Sequence, residues 1–315
     1  MKQFNEDLTG FAELGETVIT IGNFDGVHRG HQFVISRLNA VAKQLNAPSV
    51  AVTFEPHPVK VLNPDKDFQL VLPYKERRRM IARYGVDAVV TLPFTAETAK
   101  MPAEQWVREV LIERMSLRHL LIGYDFSFGR GRDGDAAHLS RLGEKYGFEV
   151  AQIAAIEEDE RPISSSRVRR LVAAGEIQKT TMLLGRPYHL SGTIVHGDGR
   201  GRSLGYPTAN LQTEWELIPH IGVYAAVAEL DGEPRAAAVS VGHNPTFDLR
   251  ELRIEAYLLD FDDDLSGREL TLHFVRRLRD EKKFHDVNHL IAAMSDDVER
   301  TRALFAAKPP ELWLT

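Results

Sequence analysis

The sequence predicts two domains, a doubly wound parallel α/β domain followed by an antiparallel β-barrel that ends in a helix. Strand-like apolar runs alternate with helical patterns in the first part of the chain, and crowded strands with little helix between them follow. A length of 315 residues accommodates two domains of ordinary size. We place the domain boundary where the alternation of strands and helices gives way to closely spaced strands, which gives domains at residues 1–182 and 183–315.

The first domain alternates five strands with four helices. Strands that are apolar throughout and are separated by helices predict a parallel sheet covered on both faces. The predicted strands span residues 17–24, 49–54, 87–92, 119–124 and 149–155, and the predicted helices span residues 32–45, 74–84, 103–115 and 135–146. In such sheets, ligands bind beyond the carboxyl ends of the strands.

The segment after the first strand reads GNFDGVHRGH and occupies residues 22–31. Its glycines let the backbone turn sharply and approach a ligand. A helix that begins here directs unpaired N–H groups and the positive end of its dipole at the sheet edge. His28 and His31 are three residues apart and share a helical face. We therefore predict a nucleotide-phosphate site formed by Gly22, Asn23, Phe24, Asp25, Gly26, His28 and His31.

Three later segments are predicted to reach the same edge. TFEPHP (residues 53–58) ends the second strand, because its two prolines stop the sheet and leave His57 in a loop. GYDFSFG (residues 123–129) ends the fourth strand and carries Asp125. RPISSSR (residues 161–167) begins a helix that Ser164 or Ser165 can cap. These serines lie between Arg161 and Arg167, an arrangement that predicts a second phosphate cradle.

The second domain shows the pattern of an antiparallel barrel or sandwich. Asp231-Gly232 separates predicted strands at residues 223–230 and 235–241, which is a strong hairpin signal. Further strands are predicted at residues 192–196, 252–259 and 269–276. Residues 287–305 have helical apolar spacing, which predicts an amphipathic helix packed on its own domain.

A glycine-rich loop in this domain forms a second candidate phosphate site. Residues 197–205 contain four glycines and two arginines and lead into the sequence YPTAN (206–210). A loop of this composition allows the backbone to wrap around phosphates. Thr208 and Asn210 are two residues apart on extended chain and project the same way. Their hydroxyl and amide oxygens suit Mg²⁺. The predicted phosphate and metal site comprises Gly197, Gly199, Gly201, Gly205, Pro207, Thr208 and Asn210.

Composition excludes several classes of function. The chain has no cysteine, which excludes disulfides, thiolate zinc sites and a cysteine nucleophile. A net charge of −6 argues against general affinity for nucleic acid or an anionic membrane. The N-terminus lacks an apolar signal core and no apolar run is long enough to cross a bilayer. We expect a cytoplasmic enzyme of unknown oligomeric state.

These motifs resemble those of the bacterial bifunctional riboflavin kinase/FAD synthetases. The first domain resembles the FMN adenylyltransferase module, a HIGH-type nucleotidyltransferase, in GNFDGVHRGH, TFEPHP, GYDFSFG and RPISSSRVR. The second resembles riboflavin kinase in PTAN (207–210), GVYA (222–225), HNPTF (243–247), IEAYLLDF (254–261) and RDEKKF (279–284). The family usually has tyrosine at the position of Ser266. This departure affects a contact near the flavin or the barrel edge.

The resemblance implies two ATP- and Mg²⁺-dependent reactions on small-molecule substrates. In the second domain, Glu255 would act as the base on riboflavin, giving FMN and ADP. In the first, FMN and a second ATP would give FAD and pyrophosphate, with His28 and His31 on the triphosphate. Ser164, Ser165 and Arg161 or Arg167 would hold the β- and γ-phosphates. The family implies neither a nucleic-acid nor a membrane partner.

Two other interpretations remain open at this point. One is a monofunctional riboflavin kinase whose first domain has decayed or has taken another substrate. The other is a flavin-binding carrier or regulator on the same scaffold, although binding alone needs neither a base nor a metal cradle. Nucleic-acid binding is less favoured than either of these two interpretations, because the chain shows neither a basic patch nor an anticodon-binding region.

Overall fold

The computed structural model describes residues 1–5, 8–130, 134–196, 204–243, 252–263 and 265–314. Its contacts divide the chain into two units, Met1–Ser165 and Ser166–Thr315. The sequence-based domain boundary between residues 182 and 183 stays a prediction.

A six-stranded parallel sheet forms the centre of the first unit. Its order is β1-β4-β3-β2-β5-β6. From β2 the chain builds outward through β3 and β4 on one side and then through β5 and β6 on the other, which is the doubly wound arrangement. The predicted fold class is therefore confirmed. The strands are β1 (Lys2–Phe4), β2 (Thr17–Ile21), β3 (Ser49–Glu55), β4 (Ala88–Pro93), β5 (Leu117–Gly123) and β6 (Glu149–Ile153).

Helices connect these strands, and their apolar faces pack on the sheet. In the first helix, Ile35, Leu38 and Ala42 are buried at spacings of three and four residues, as one face of a helix requires. The predicted helix at 103–115 begins as an α-helix but continues as a π-helical segment, Val107–Ile112. The helices are α1 (Arg29–Leu45), α2 (Pro58–Leu62), α3 (Tyr74–Arg83), α4 (Ala103–Trp106) and α5 (Ala136–Tyr146).

The elements of this unit that were not predicted include a short strand and a hairpin. β1 has three residues, of which only Phe4 is buried, so it carries no readable alternation. A two-stranded hairpin, β7 (Glu157–Glu158) with β8 (Arg161–Pro162), precedes the serine cluster, which consists of residues 164–166. Its turn residues Asp159 and Glu160 both have positive φ, of 53° and 56°. The turn that presents Arg161 is therefore built without glycine.

A closed six-stranded antiparallel barrel forms the second unit, which confirms the predicted barrel, although only five of its strands were predicted. Its order is β10-β13-β12-β11-β14-β9. The Asp231-Gly232 turn joins β11 to β12, and both of its residues have positive φ, of 52° and 83°. The strands are β9 (Tyr188–Val195), β10 (Ala209–Gln212), β11 (Gly222–Leu230), β12 (Glu233–His243), β13 (Leu252–Leu258) and β14 (Glu269–Arg279).

Three helices accompany the barrel, namely α6 (Ser165–Ala173), α7 (Ile177–Leu184) and the terminal α8 (Val287–Ala307). Phe305 of α8 is buried against Ala225, Val227 and Val275 of the barrel. Arg279 of β14 forms a bidentate ion pair with the buried Asp297 of α8, with N–O distances of 2.7–3.0 Å. The predicted terminal helix thus packs on its own unit. Among the described residues, no helix is both long enough and apolar enough to cross a membrane.

Candidate active sites

The GNFDGVHRGH segment lies at the point where the strand order of the first sheet reverses. It follows β2, whose neighbours β3 and β5 lead to opposite sides of the sheet. This switch point is where doubly wound sheets bind ligands. Phe24, Gly26 and Val27 have φ values of 48°, 84° and 41°, so the backbone here is held in an uncommon left-handed conformation. A side chain at Gly26 would also crowd Val71, at 3.0 Å.

Asp25 holds this loop in place from within the protein. Its side chain is fully buried. Its carboxylate accepts hydrogen bonds from the backbone N–H of Val71 at 3.0 and 3.2 Å and of Leu72 at 3.3 Å. These contacts give Asp25 a structural role on the loop, and its predicted place in the phosphate site stays a prediction.

The two histidines of the segment are in direct contact. Their rings stack with centroids 3.7 Å apart and planes inclined by 15°. His28 caps α1, because its Nδ1 accepts the backbone N–H of His31 at 3.3 Å. A neutral His28 therefore carries its proton on Nε2. A side chain at Gly30 would press on the His28 ring at 3.2 Å, so the glycine of HRGH makes room for the stack.

His31 is held neutral and has unused hydrogen-bonding capacity. Burial lowers its pKa well below 6.5, and the nearby His28 and Arg77 lower it further. Its Nδ1 is buried and has no hydrogen-bond partner within the described part of the chain. A buried polar atom of this kind costs free energy that a ligand hydrogen bond can recover. The arrangement fits a phosphate-bearing ligand at the N-terminus of α1.

The serine cluster meets the same loop. The Ser165 hydroxyl donates a hydrogen bond to the carbonyl of Asp25 at 2.8 Å, and Ser164 directly precedes α6. Arg161 is exposed on β8. Arg29 of the HRGH motif also pairs with Glu158 of the preceding hairpin at 2.6 Å. The structure therefore brings the GNFDGVHRGH segment together with the serines of RPISSSR.

The structure also gives the positions of two further predicted residues. Arg167 lies on the first turn of α6, within the second unit. Asp125 lies exposed in the turn after β5. Their proposed contacts with ATP stay predictions.

Sequence reasoning missed Arg77 of α3, which is fully buried. Its guanidinium donates to the carbonyl oxygens of Asn23 at 3.0 Å and Phe54 at 2.6 Å. Arg77 lies on the buried face of α3 together with Met80 and Ile81. An arginine at an apolar position of a helical stripe was the signal that could have identified it.

A second cluster forms where β10 and β13 pair in the barrel. Asn210 lies directly opposite Glu255 in the strand register. The hydroxyl of Thr208 donates to Oε2 of Glu255 at 3.3 Å. The structure therefore joins the predicted base to both predicted metal ligands, although they are far apart in the sequence.

Glu255 alternates with buried apolar residues along β13. Ile254 and Ala256 are buried, whereas Glu255 is half-buried between them. On its other side, Glu255 pairs with Ser240 of β12, a residue that the sequence analysis did not single out. Glu255 is thus flanked by an amide and a hydroxyl on its two neighbouring strands.

These residues fit a magnesium ion by donor type. Thr208 and Asn210 supply a hydroxyl and an amide carbonyl, both of them hard oxygen ligands. No cluster of three or more histidine, cysteine, aspartate or glutamate side chains occurs among the described residues. A cation at this site would therefore depend on neutral oxygens and on substrate phosphates.

Part of the predicted phosphate loop is not described. Gly197, Gly199 and Gly201 lie outside the described residues, as do residues 244–247 of HNPTF. Gly205 has a φ of 86°, which favours glycine, and Pro207 leads into β10. The Ser266 hydroxyl lies 3.4 Å from Nδ1 of His196, at the edge of the same loop.

Comparison with family models gives one match for each half of the chain. A model described as FAD synthetase matches residues 11–167. A model described as riboflavin kinase matches residues 184–305. The two matches occur in the order that the motifs predict.

Curated proteins match over nearly the whole chain. A bifunctional riboflavin kinase/FMN adenylyltransferase of Listeria monocytogenes is 36% identical over 292 residues, which cover 92% of each chain. Its counterpart in Pseudomonas fluorescens is 37% identical over 290 residues, covering 92% of this chain and 93% of the relative.

One solved structure has the same architecture throughout. It comes from Streptococcus pneumoniae and is described as a macrolide-efflux protein. It is 31% identical, has a TM-score of 0.86, and the alignment covers 96% of this chain and 99% of that one.

Proposed function

The chain belongs to the family of bifunctional riboflavin kinases/FMN adenylyltransferases, and on that premise we propose which residues perform each of the two reactions. The enzyme phosphorylates riboflavin with ATP to give FMN and ADP. It then adenylylates FMN with a second ATP to give FAD and pyrophosphate. The riboflavin kinase match lies in the second part of the chain and the FAD synthetase match in the first.

Glu255 is the proposed base of the kinase reaction. The ribityl 5′-hydroxyl is a weak nucleophile until it loses its proton, and a positioned carboxylate supplies about 10²–10⁴-fold in rate. The carboxylate of Glu255 takes that proton, the ribityl oxygen forms a bond to the γ-phosphorus of ATP, and ADP leaves. The half-buried position of Glu255 between Asn210 and Ser240 supports this role.

Thr208 and Asn210 are the proposed ligands of Mg²⁺. When bound, the ion would neutralise charge on the phosphates of ATP. The Thr208 hydroxyl also holds the carboxylate of Glu255 through their 3.3 Å hydrogen bond. Gly197, Gly199, Gly201, Gly205 and Pro207 complete the proposed phosphate loop.

The stacked pair His28 and His31 is the observation that carries the proposed adenylyltransferase site. An oxygen of the FMN phosphate forms a bond to the α-phosphorus of ATP, and the bond from that phosphorus to the pyrophosphate oxygen breaks. FMN is itself the nucleophile, so the enzyme forms no covalent intermediate. Imidazole N–H groups and the positive end of the α1 dipole stabilise the charge that develops at the α-phosphate.

The remaining predicted residues are assigned to the same nucleotide. The backbone of Gly22, Asn23, Phe24 and Gly26 approaches the triphosphate, and Ser164, Ser165, Arg161 and Arg167 hold its β- and γ-phosphates. Asp25 supports the loop, and Asp125 is proposed to contact the nucleotide. We also propose that the domains divide at residues 182 and 183. Both reactions consume ATP, which supports the cytoplasm as the compartment.

A time course of flavin products tests the proposed function. Purified protein is incubated with riboflavin, ATP and Mg²⁺, and the flavins are separated by chromatography. FMN is expected first and FAD later, and omission of Mg²⁺ is expected to stop both steps. FMN as the final product would leave the kinase in place and refute the adenylyltransferase assignment.

A further inference from the structure

Arg77 is a buried cation that the proposed mechanism does not use. Its side chain is fully buried in the first unit, on the face of α3 that packs toward the sheet. Taking a guanidinium out of water is costly unless hydrogen bonds compensate for the lost hydration. An apolar side chain on this helix face would pack without that cost, so the contacts of Arg77 need a further explanation.

The guanidinium of Arg77 links the ends of two neighbouring strands. One nitrogen donates to the carbonyl of Asn23 in the GNFDGVHRGH segment at 3.0 Å, and another donates to the carbonyl of Phe54 in the TFEPHP segment at 2.6 Å. The first of these segments follows β2, and the second contains the end of β3. These two strands are adjacent in the sheet. A planar guanidinium can donate to both carbonyls at fixed geometry, whereas a lysine ammonium is a single flexible charge.

Tyr74 extends this link to His57. The guanidinium carbon of Arg77 lies 4.8 Å from the centre of the Tyr74 ring. The Tyr74 hydroxyl accepts the backbone N–H of His57 at 2.8 Å, and Nδ1 of His57 in turn accepts the N–H of Val59 at 3.1 Å. One short turn of α3 therefore holds both loops at the ligand edge.

We propose that Arg77 is a positioning residue of the adenylyltransferase site, which fixes the histidine loop against the TFEPHP loop so that His28 and His31 meet the α-phosphate. The inference rests on the proposed function of that site. A displacement of about 1 Å in a catalytic group can cost on the order of 100-fold in rate. Arg77 therefore acts on the rate of adenylyl transfer without touching the substrate.

The charge of Arg77 has a second effect on the same site. The groups that lower the pKa of His31, apart from its burial, are His28 on α1 and Arg77 on α3. Burial lowers the pKa of the Arg77 guanidinium, and the carboxylate of Asp25 opposes that shift. The substitution Arg77→Lys separates the two effects of Arg77. Lysine keeps the positive charge but cannot hold the carbonyl groups of Asn23 and Phe54 together as the guanidinium does.

The test uses the full chain with Arg77→Lys, Arg77→Met and Tyr74→Phe. Arg79→Met is the matched control, because Arg79 lies on the same helix but is exposed and pairs with Glu76. FAD formation from FMN and ATP gives kcat and KM, and FMN formation from riboflavin serves as an internal control in each protein. The pKa of His31 is measured by NMR in the wild type and in both Arg77 variants.

Arg77→Lys is expected to lower kcat for FAD formation about 100-fold, with KM values changed only a few-fold. Its kinase rate and its His31 pKa should match those of the wild type. Arg77→Met should lower kcat as far and also raise the His31 pKa. Tyr74→Phe, which keeps the ring but loses one hydrogen bond, should lower kcat about three- to tenfold. Arg79→Met should leave kcat unchanged.

Wild-type kcat in Arg77→Lys would overturn the inference. A loss of rate that equals the loss of folded protein, measured by thermal unfolding, would also overturn it, since it would show a role in stability alone. If Arg77→Met fails to fold, Arg77→Lys and Tyr74→Phe still decide the question. Absence of FAD from the wild-type reaction would instead refute the proposed function of the site.

Discussion

Replacement of Glu255 by glutamine is expected to slow FMN formation strongly and to leave FAD formation from FMN intact. The amide has nearly the same shape as the carboxylate and can still accept the hydrogen bond from Thr208. It cannot take a proton from the ribityl hydroxyl. The loss of a positioned base lowers kcat by about 10²–10⁴-fold. That factor corresponds to about 3–5 kcal/mol in the activation free energy.

The expected effect of this substitution on stability is small. Glu255 is half-buried, and its hydrogen bond to Thr208 is long at 3.3 Å. A hydrogen bond of this kind contributes at most about 1 kcal/mol to the free energy of unfolding. The melting temperature should therefore stay close to that of the wild type, and a large loss of kinase rate can be assigned to chemistry.

Glu269→Gln is the matched control for this experiment. Glu269 lies on a strand of the same barrel and accepts a hydrogen bond from the hydroxyl of Thr193 at 2.7 Å, but it is exposed. The two variants are assayed for FMN formation from riboflavin and, separately, for FAD formation from supplied FMN. Wild-type FMN formation by Glu255→Gln would refute the reasoning, as would equal loss of both activities in a folded protein.

Three further predictions follow from the two units. His28→Ala combined with His31→Ala should stop the reaction at FMN, and unchanged FAD synthesis would contradict the first site. Asp297→Ala should destabilise the second unit by about 3–5 kcal/mol in denaturant unfolding, because it leaves Arg279 without its buried partner; the exposed Asp296→Ala is the control. The depressed pKa of His31 means that the unfolded chain binds more protons, so stability should fall as pH drops below about 6.5. His31→Gln should weaken that dependence, and an unchanged dependence would show that His31 does not cause it.

Local patterns predicted most of the elements that carry the sites. The apolar run before GNFDGVHRGH predicted β2, since a strand buried on both faces needs apolar side chains throughout. The turn at Asp231-Gly232 predicted a hairpin because both residues tolerate positive φ. β10 was not predicted, since its four residues are too few to show an alternation.

Sequence patterns alone could not predict contacts between segments that are far apart in the chain. The pairing of Asn210 with Glu255 depends on the register of two strands far apart in the chain, and no local pattern fixes that register. Arg77 was missed for a different reason. Charged side chains are almost always exposed, so an arginine on a helix is assigned to the surface unless its spacing is examined.

Asp25 shows that a motif residue can have a structural role in its loop. The residue belongs to the motif that predicted a phosphate site, yet its carboxylate is buried and holds the backbone of residues 71–72. A motif therefore contains residues that shape the loop as well as residues proposed to touch the ligand. Only the structure separates these two groups.

Mixing two inactive variants tests the central claim that each site performs one reaction. Glu255→Gln and the His28→Ala/His31→Ala protein are incubated with riboflavin, ATP and Mg²⁺, alone and together, and FAD is measured. We expect FAD formation to be at least about 100-fold slower in either protein alone than in the mixture, because the second protein releases FMN that the first one adenylylates. FAD formation by either variant alone at the rate of the mixture, or no gain in rate when the folded proteins are mixed, would contradict the account.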